Sequence, residues 1–311
     1  MIRITVPATS ANVGVGYDTL GLALTLFAHF DIEAAEELTI SGCPAAYQGP
    51  DNLVYSSMCT AWKTWGVAQQ GARIHIASEV PFARGLGSSS TCVVAGVLGA
   101  AALAGLKLSA AELLRVATLI EGHPDNVAPA LLGSLVCSFT GADGTVQSLS
   151  YTVHPDLNFV AMIPSYEVKT EDARRVVPQE IALATGVAQI GRAAGMIRGL
   201  ETGDEALLRA ANHDLLHEPY RQALIPEYSA VRDICQQTNM ATLWISGSGP
   251  SLLAVSRNKL VAQGCASAVR DTFPAFAVHV LGCDTKGARV ETIDGVHVGS
   301  ECAGAANSTT I

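Results

Sequence analysis

Residues 81–91 read Pro81-Phe82-Ala83-Arg84-Gly85-Leu86-Gly87-Ser88-Ser89-Ser90-Thr91, and an uncharged run of small and aliphatic residues follows to Leu106. Ahead of it, Ala72 to Ala77 alternates as a strand does. The stretch therefore reads as a glycine-rich turn leading from a strand into the N-terminus of a buried helix. Backbone N–H groups at such a terminus lack intrahelical partners and point along the positive end of the helix dipole. Glycine permits close approach of an anion, and the serines add hydroxyl donors. A phosphate fits there. A plain loop capped by Ser88 would carry the same local signature.

Two common nucleotide motifs are excluded. A P-loop needs a lysine after its last glycine, and no lysine occurs between Lys63 and Lys107. A dinucleotide fingerprint needs a third glycine, where Ser90 stands, and an acidic residue about twenty positions on. Arg84 is the only cation within the loop, so backbone, hydroxyls and a metal ion would carry most of the phosphate charge.

Composition narrows the class. The 311 residues are 49% hydrophobic and 15% charged, enough for a large core or two domains. A net charge of −9 without basic clusters argues against nucleic acid as a partner. The apolar part of 85–106 is shorter than the ~20 residues a bilayer span requires, so no membrane contact is expected. The eight cysteines stand at least sixteen residues apart, which excludes a Cys-x-x-Cys site. With no signal-peptide pattern at Met1-Ile2-Arg3, reduced thiols in a cytoplasm are the expectation.

Strand patterns at Ile2–Val6, a hairpin formed by Phe30–Ala34 and Leu38–Ile40, and a helix capped by Asp51 and running to Trp65 are expected. Ser109 and Glu112 form a capping box for the next helix. Strands at 134–139 and 145–152 precede a polar, proline-bearing boundary at Tyr151–Asp156. Beyond it come a strand at 159–163, helices between 179 and 237, and paired strands at 242–245 and 252–255. A helix at 261–272 and a final strand at 276–281 complete the pattern. Antiparallel hairpins with covering helices give an α+β class, divided at residues 1–155 and 156–311. Residues 303–311 read as a frayed tail.

Four further segments concentrate polar chemistry. Pro7 to Asp18 sets Thr9, Ser10, Asn12 and Asp18 behind a strand, as a polar turn also would. Glu121-Gly122-His123-Pro124-Asp125-Asn126 offers Glu121 as a hard oxygen ligand for Mg²⁺, and His123, Asp125 and Asn126 as groups that hold a polar substrate or cap a helix. Thr170-Glu171-Asp172-Ala173-Arg174 and His217-Glu218-Pro219-Tyr220-Arg221 each set one arginine among polar residues, where its planar fork suits a carboxylate or phosphate. His213 and His217 lie four apart without the glutamate of a metalloprotease helix, and read as helix surface or structural.

Taken together, Pro7–Asp18, Pro81–Thr91 and Ser246–Ser251, in this order, resemble the three motifs of the GHMP kinase superfamily. Glu121–Ala130 and His217–Arg221 are similar to its homoserine kinase branch. Tyr17 replaces a usual phenylalanine, Ser90 and Ser248 usual alanines, and Ser134 a usual glycine.

The resemblance implies a ribosomal-protein-S5-like N-terminal domain, a ferredoxin-like C-terminal domain, and a site between them that transfers the γ-phosphate of ATP to the hydroxyl of L-homoserine. It implies ATP contacts along residues 81–91 and at Asn52 and Val54, the latter two in the adenine pocket, and Mg²⁺ held by Ser89 and Glu121. Asn12, Asp18, His123, Asp125 and Asn126 would surround the substrate, with Asp18 facing its ammonium and Arg174 and Arg221 its carboxylate. Thr170 would lie near the transferred phosphate, making Asn12, Glu121 and Thr170 the catalytic group. A homodimer is left open. Asn126 stands where several superfamily members carry a catalytic aspartate, so the resemblance implies transfer without a dedicated side-chain base. Another small-molecule kinase of the superfamily, or a non-catalytic ligand-binding relative, are the rival readings.

Overall fold

In the computed structural model, residues 1–293 are described. The strands are β1 (Ile2–Ala11), β2 (Leu20–Ala35), β3 (Thr39–Ser41), β4 (Gly71–Ser78), β5 (Leu135–Thr140), β6 (Val146–Tyr151), β7 (Asn158–Ile163), β8 (Thr242–Ile245), β9 (Leu252–Ser256), β10 (Ala277–Leu281) and β11 (Arg289–Thr292). The helices are α1 (Leu53–Thr64), α2 (Ser88–Leu103), α3 (Ala110–Glu121), α4 (Pro124–Leu132), α5 (Thr170–Arg175), α6 (Leu183–Thr202), α7 (Glu205–Ala211), α8 (Glu218–Arg221), α9 (Tyr228–Gln237) and α10 (Lys259–Thr272). This α+β content in two sheets is the expected class.

The first sheet has seven strands and is organised by β2, whose sixteen residues pair with β1 along one edge and with both β4 and β5 along the other. The helix α2 lies under it, and its Ala/Val/Gly composition leaves small side chains that let strands and helices approach closely. Phe30, Ile32, Ile74, Trp62 and Met58 share this core, and burying each large side chain contributes about 1.5–3 kcal/mol. No described helix is long and apolar enough to cross a membrane.

The second sheet is antiparallel in the order β10-β7-β9-β8. Its chain order runs strand, helices, two strands, helix, strand, which is the ferredoxin-like pattern. After Leu281 the chain returns to the first sheet, where β11 pairs with β1 and Cys283 bridges Leu24.

Four local expectations are corrected. β2 and β3 do not form a hairpin, because β4 inserts between them and β3 runs parallel to it. The eight-residue β2–β4 ladder opposes Phe30 to Ile76 and Ile32 to Ile74 in the core, which a three-residue β3 cannot match. Asn52 rather than Asp51 caps α1, its Oδ1 accepting from Val54 N at 2.9 Å. Ser109 caps α3 as expected, but Glu112 is drawn to Arg115 and Trp65 and does not complete the box. β10 is followed by β11, so it is not the last strand. The tail at 303–311 lies outside the described residues.

Candidate active site

A cavity of about 180 Å³ opens between the sheets at the N-terminus of α2. Gly85, Gly87, Ser88 and Ser89 line one side, with Glu121, His123, Asp125 and Asn126 next to them. Asn12 and Asp18 close it from the β1–β2 turn, and Thr170, Arg174, Arg221, Gly247 and Ser248 from the second domain. Segments from six places in the chain thus meet at one cavity.

The glycine turn forms the helix terminus expected. Gly87 caps α2 with φ +69°, and a Cβ there would collide with the Thr9 hydroxyl, so no larger residue fits. The first helical bond at this end is Thr91 N to Gly87 O, leaving the amides of Ser88, Ser89 and Ser90 without intrahelical acceptors. Ser89 Oγ donates to Glu121 Oε1 at 2.6 Å, and buried Ser90 Oγ to the same oxygen at 2.9 Å. Both hydroxyls thus hold one oxygen of Glu121, at the end of α3 beside the loop.

The third motif joins the domains. Ser246 Oγ donates to Gly85 O at 2.6 Å, while Gly247 N donates to Ala11 O at 3.1 Å. Gly247 O accepts from Asn12 Nδ2 and from Arg221 Nη1, each at 2.9 Å. Asn12 Oδ1 accepts from Asp18 N at 3.0 Å, so this amide is occupied at both ends in holding the turn. Asn12 and Asp18 sit at φ +69° and +54°, a backbone strain these short polar side chains tolerate best.

Asp18 receives Arg174 in a forked pair at 3.0 and 3.1 Å. Arg221, almost fully buried, is fixed by Nε to Ala173 O at 3.0 Å and lies over the Tyr17 ring at 5.0 Å. Burial pulls its pKa down from the ordinary value, against the pull of Tyr17 and Asp18. His217 is wholly buried, stacks on Tyr17 at 5.1 Å and contacts Gly14 O through Nε2 at 2.8 Å. Burial lowers its pKa and keeps it neutral. It is a structural group preceding α8, and His213 lies in the loop after α7, so the two do not share a helix face.

On the remaining wall, His123 Nδ1 and Asp125 Oδ1 are 2.6 Å apart, and this bond, against the opposing effect of burial, raises the imidazole pKa. Thr9 Oγ1 donates to Asn126 Oδ1 at 2.7 Å. That bond occupies the amide oxygen and leaves the NH₂ group to face the cavity.

Several of the expected site residues lie outside this cavity. Asn52 and Val54 are buried at the start of α1 and do not line the cavity, since the cap itself consumes Asn52. Arg84 turns away to Pro164 O, Ser165 O and Glu167, stapling the loop to the end of β7. Pro81, Phe82, Leu86, Ser90 and Thr91 shape the loop from outside the cavity. Lys169, which the sequence reading passed over, lines it instead. Its place directly before Thr170 was the available signal.

The model of the GHMP kinases N terminal domain matches residues 52–134, and that of the GHMP kinases C terminal matches 196–275. A homoserine kinase of Clostridium beijerinckii is 41% identical over 83% of this chain and 87% of its own length. One from Clostridium botulinum is 39% identical over the same shares. The chain belongs to the homoserine kinases of the GHMP family. The crystal structure of homoserine kinase from Cytophaga hutchinsonii superposes with a TM-score of 0.84 at 31% identity, covering 93% of this chain and 96% of that one. A crystal structure of mevalonate kinase, at 12% identity and TM-score 0.63, shares the fold. Within this family the cavity at the α2 terminus is the candidate for the kinase site.

Proposed function

We propose that the protein transfers the γ-phosphoryl group of ATP to the side-chain hydroxyl of L-homoserine, forming O-phospho-L-homoserine, a step toward threonine. One observation carries the reading: a phosphate-ready helix terminus and a set of groups complementary to an α-amino acid face the same small cavity. Asp18 suits the ammonium, and Arg174 and Arg221 suit the carboxylate. In the free site Arg174 and Asp18 neutralise one another, and a zwitterion inserting between them replaces each partner in kind. Arg221 is already fixed, so little conformational freedom remains to be lost there on binding.

The triphosphate would lie along the loop with its γ-phosphate toward Ser88 and Ser89, Lys169 and Thr170 facing it from the second domain. Ser89 and Glu121 offer the hard oxygen donors that Mg²⁺ takes alongside phosphate oxygens, and they already sit within hydrogen-bond distance. Bound there, Mg²⁺ would neutralise charge on the phosphates.

The substrate hydroxyl attacks Pγ in line, the Pγ–O bond to the leaving ADP breaks, and the hydroxyl proton passes to a phosphate oxygen. No base is needed in a loose transition state governed by positioning and charge. Asn126 donates through its NH₂ group toward the reacting oxygens, with Thr9 fixing its orientation. His123, bound to Asp125, supports the same wall.

The test is phosphorus NMR of the purified protein with ATP, Mg²⁺ and, separately, L-homoserine, mevalonate and galactose. A phosphate ester formed from homoserine alone is expected. Equal or preferred phosphorylation of mevalonate or galactose would refute the assignment, and no ester from any of them would favour a ligand-binding relative.

A further inference from the structure

We infer that Cys235 and Cys265 form an oxidation site, at which a peroxide converts the two thiols into a disulfide joining α9 to α10. Their Sγ atoms lie 3.9 Å apart, in hydrogen-bond contact, and neither residue lines the substrate cavity. Among the described residues no other two cysteines make such a contact. Both belong to the core of the second domain, where α9 and α10 pack on its sheet. A disulfide bond is about 2.05 Å long, so the sulfurs need approach by about 2 Å.

The site has an entrance. Cys265 is fully buried, but Cys235 lines a second cavity of about 620 Å³. Exposed Arg232, Gln236 and Asn239 stand on its rim, and a small peroxide reaches the Cys235 sulfur past them. Selectivity follows from thiolate character. Cys265 is held below the ordinary thiol value by its hydrogen bond with Cys235, against burial and with help from Thr238. Burial instead raises Cys43, Cys59, Cys92, Cys137 and Cys283, and none of these has a second sulfur in contact to complete the reaction.

The proton of Cys235 passes to the Cys265 thiolate as the Cys235 sulfur attacks one peroxide oxygen. The O–O bond breaks, Cys235 becomes a sulfenic acid, and the departing hydroxide takes the proton from Cys265 and leaves as water. The Cys265 sulfur then attacks the Cys235 sulfur, the S–O bond breaks, and the second hydroxide leaves, protonated by solvent. Two thiols lose two electrons, and one peroxide is reduced to two waters. Capture by Cys265 stops the oxidation at a reversible disulfide, short of sulfinic acid. The bond closes a loop containing β8, β9 and the Ser246–Ser251 turn between them. Oxidation therefore fastens both ends of the segment that carries Gly247, whose carbonyl anchors Asn12 and Arg221.

The test treats the full chain with hydrogen peroxide in modest molar excess, alkylates the remaining thiols and maps the tryptic peptides by mass spectrometry. Trypsin leaves Cys235 as the one cysteine of 233–257 and Cys265 as the one cysteine of 260–270. These two peptides, linked and two hydrogens lighter, should be the first disulfide to appear, and dithiothreitol should separate them. The cross-link should raise the melting temperature by about 5 °C, since it removes loop freedom from the unfolded chain. Cys235→Ser and Cys265→Ala should each lose the linked peptides and the peroxide-induced rise. The wild-type map stands whether or not either variant folds. Wild type whose Cys235 and Cys265 stay alkylatable after other thiols have reacted would overturn the proposal. So would linkage of either one to a different cysteine, or a Cys235–Cys265 link that leaves the melting temperature unmoved.

Discussion

Asn126→Asp places a carboxylate where the structure holds an oriented amide. The Thr9 hydroxyl donates to Asn126 Oδ1 at 2.7 Å, and Thr9 is fully buried with its own N–H bound to Leu86 O at 3.1 Å. Aspartate keeps the Thr9 bond through one oxygen and presents the other, an acceptor only, to the cavity. In the proposed arrangement, the donor toward the reacting oxygens would become an anion beside the γ-phosphate. At an effective dielectric near 20, two unit charges about 4 Å apart repel by roughly 4 kcal/mol, close to a thousand-fold in rate. A newly supplied base returns about 10²-fold at the lower end of the general-base range, which suits a group the site was not built around. The net expectation is a fall in kcat of about ten-fold or more. Thr9→Val, which frees the amide to turn over, should lose about 1 kcal/mol by the same readout. The assay is kcat against pH from about 6 to 9 with ATP, homoserine and Mg²⁺ saturating. A faster Asn126→Asp enzyme with a new acidic-limb pKa would show that the site lacked only a base, and the positioning mechanism would be wrong.

Other outcomes follow from the same geometry. Glu121→Gln keeps the acceptor for Ser89 and Ser90 but removes the charge, so kcat should fall by at least ~10²-fold with little change in melting temperature; near-normal turnover with unchanged Mg²⁺ dependence would contradict this. His123 should titrate above the ordinary 6.5, and Asp125→Asn should bring it back down, as followed by NMR of the imidazole. Because that pKa is raised by folding, its stabilisation is complete below 6.5 and is lost as pH climbs through the raised value. Buried Glu218 runs the other way for an acid: full burial pushes it from 4.5 up to about 8, despite the bond from Ile245 N. The folded state then holds a proton the unfolded chain releases, so stability should decline between about pH 4.5 and 8. Glu218→Gln, which retains the acceptor for Ile245, should flatten that slope in urea unfolding; an unchanged slope would refute the burial argument.

The sequence carried the phosphate loop, the β8–β9 pair and most of the cavity wall, because each depends on residue types that local chemistry constrains. Glycines at 85 and 87 before three serines announce a helix terminus, and Asp18, Arg174 and Arg221 stand out as charges among polar neighbours. What stayed hidden was set by partners far along the chain. Nothing near Glu36 and Glu37 shows that β4 will come between β2 and β3, since the deciding ladder lies some forty residues on. Arg84 belongs to the loop in sequence, yet carbonyls at the end of β7 capture it, while Lys169 lines the cavity. The return of β11 to β1 likewise depends on a pairing across nearly the whole chain.

The central claim is that one cavity grips an α-amino acid by its charged end while presenting its hydroxyl to ATP. It is tested most directly by comparing kcat/KM for L-homoserine with that for 3-aminopropan-1-ol, which keeps the amine and hydroxyl but lacks the carboxylate, in wild type and Arg221→Ala. Losing charge-assisted bonds to two arginines should cost wild type at least about a hundred-fold on the analogue, at 1.5–3 kcal/mol for each bond. Arg221→Ala should lose about ten- to a hundred-fold on homoserine, through KM for homoserine and not for ATP, and far less on the analogue. Equal kcat/KM for the two alcohols in wild type, or an Arg221→Ala defect expressed in KM for ATP, would place the arginines on the nucleotide side and contradict the account.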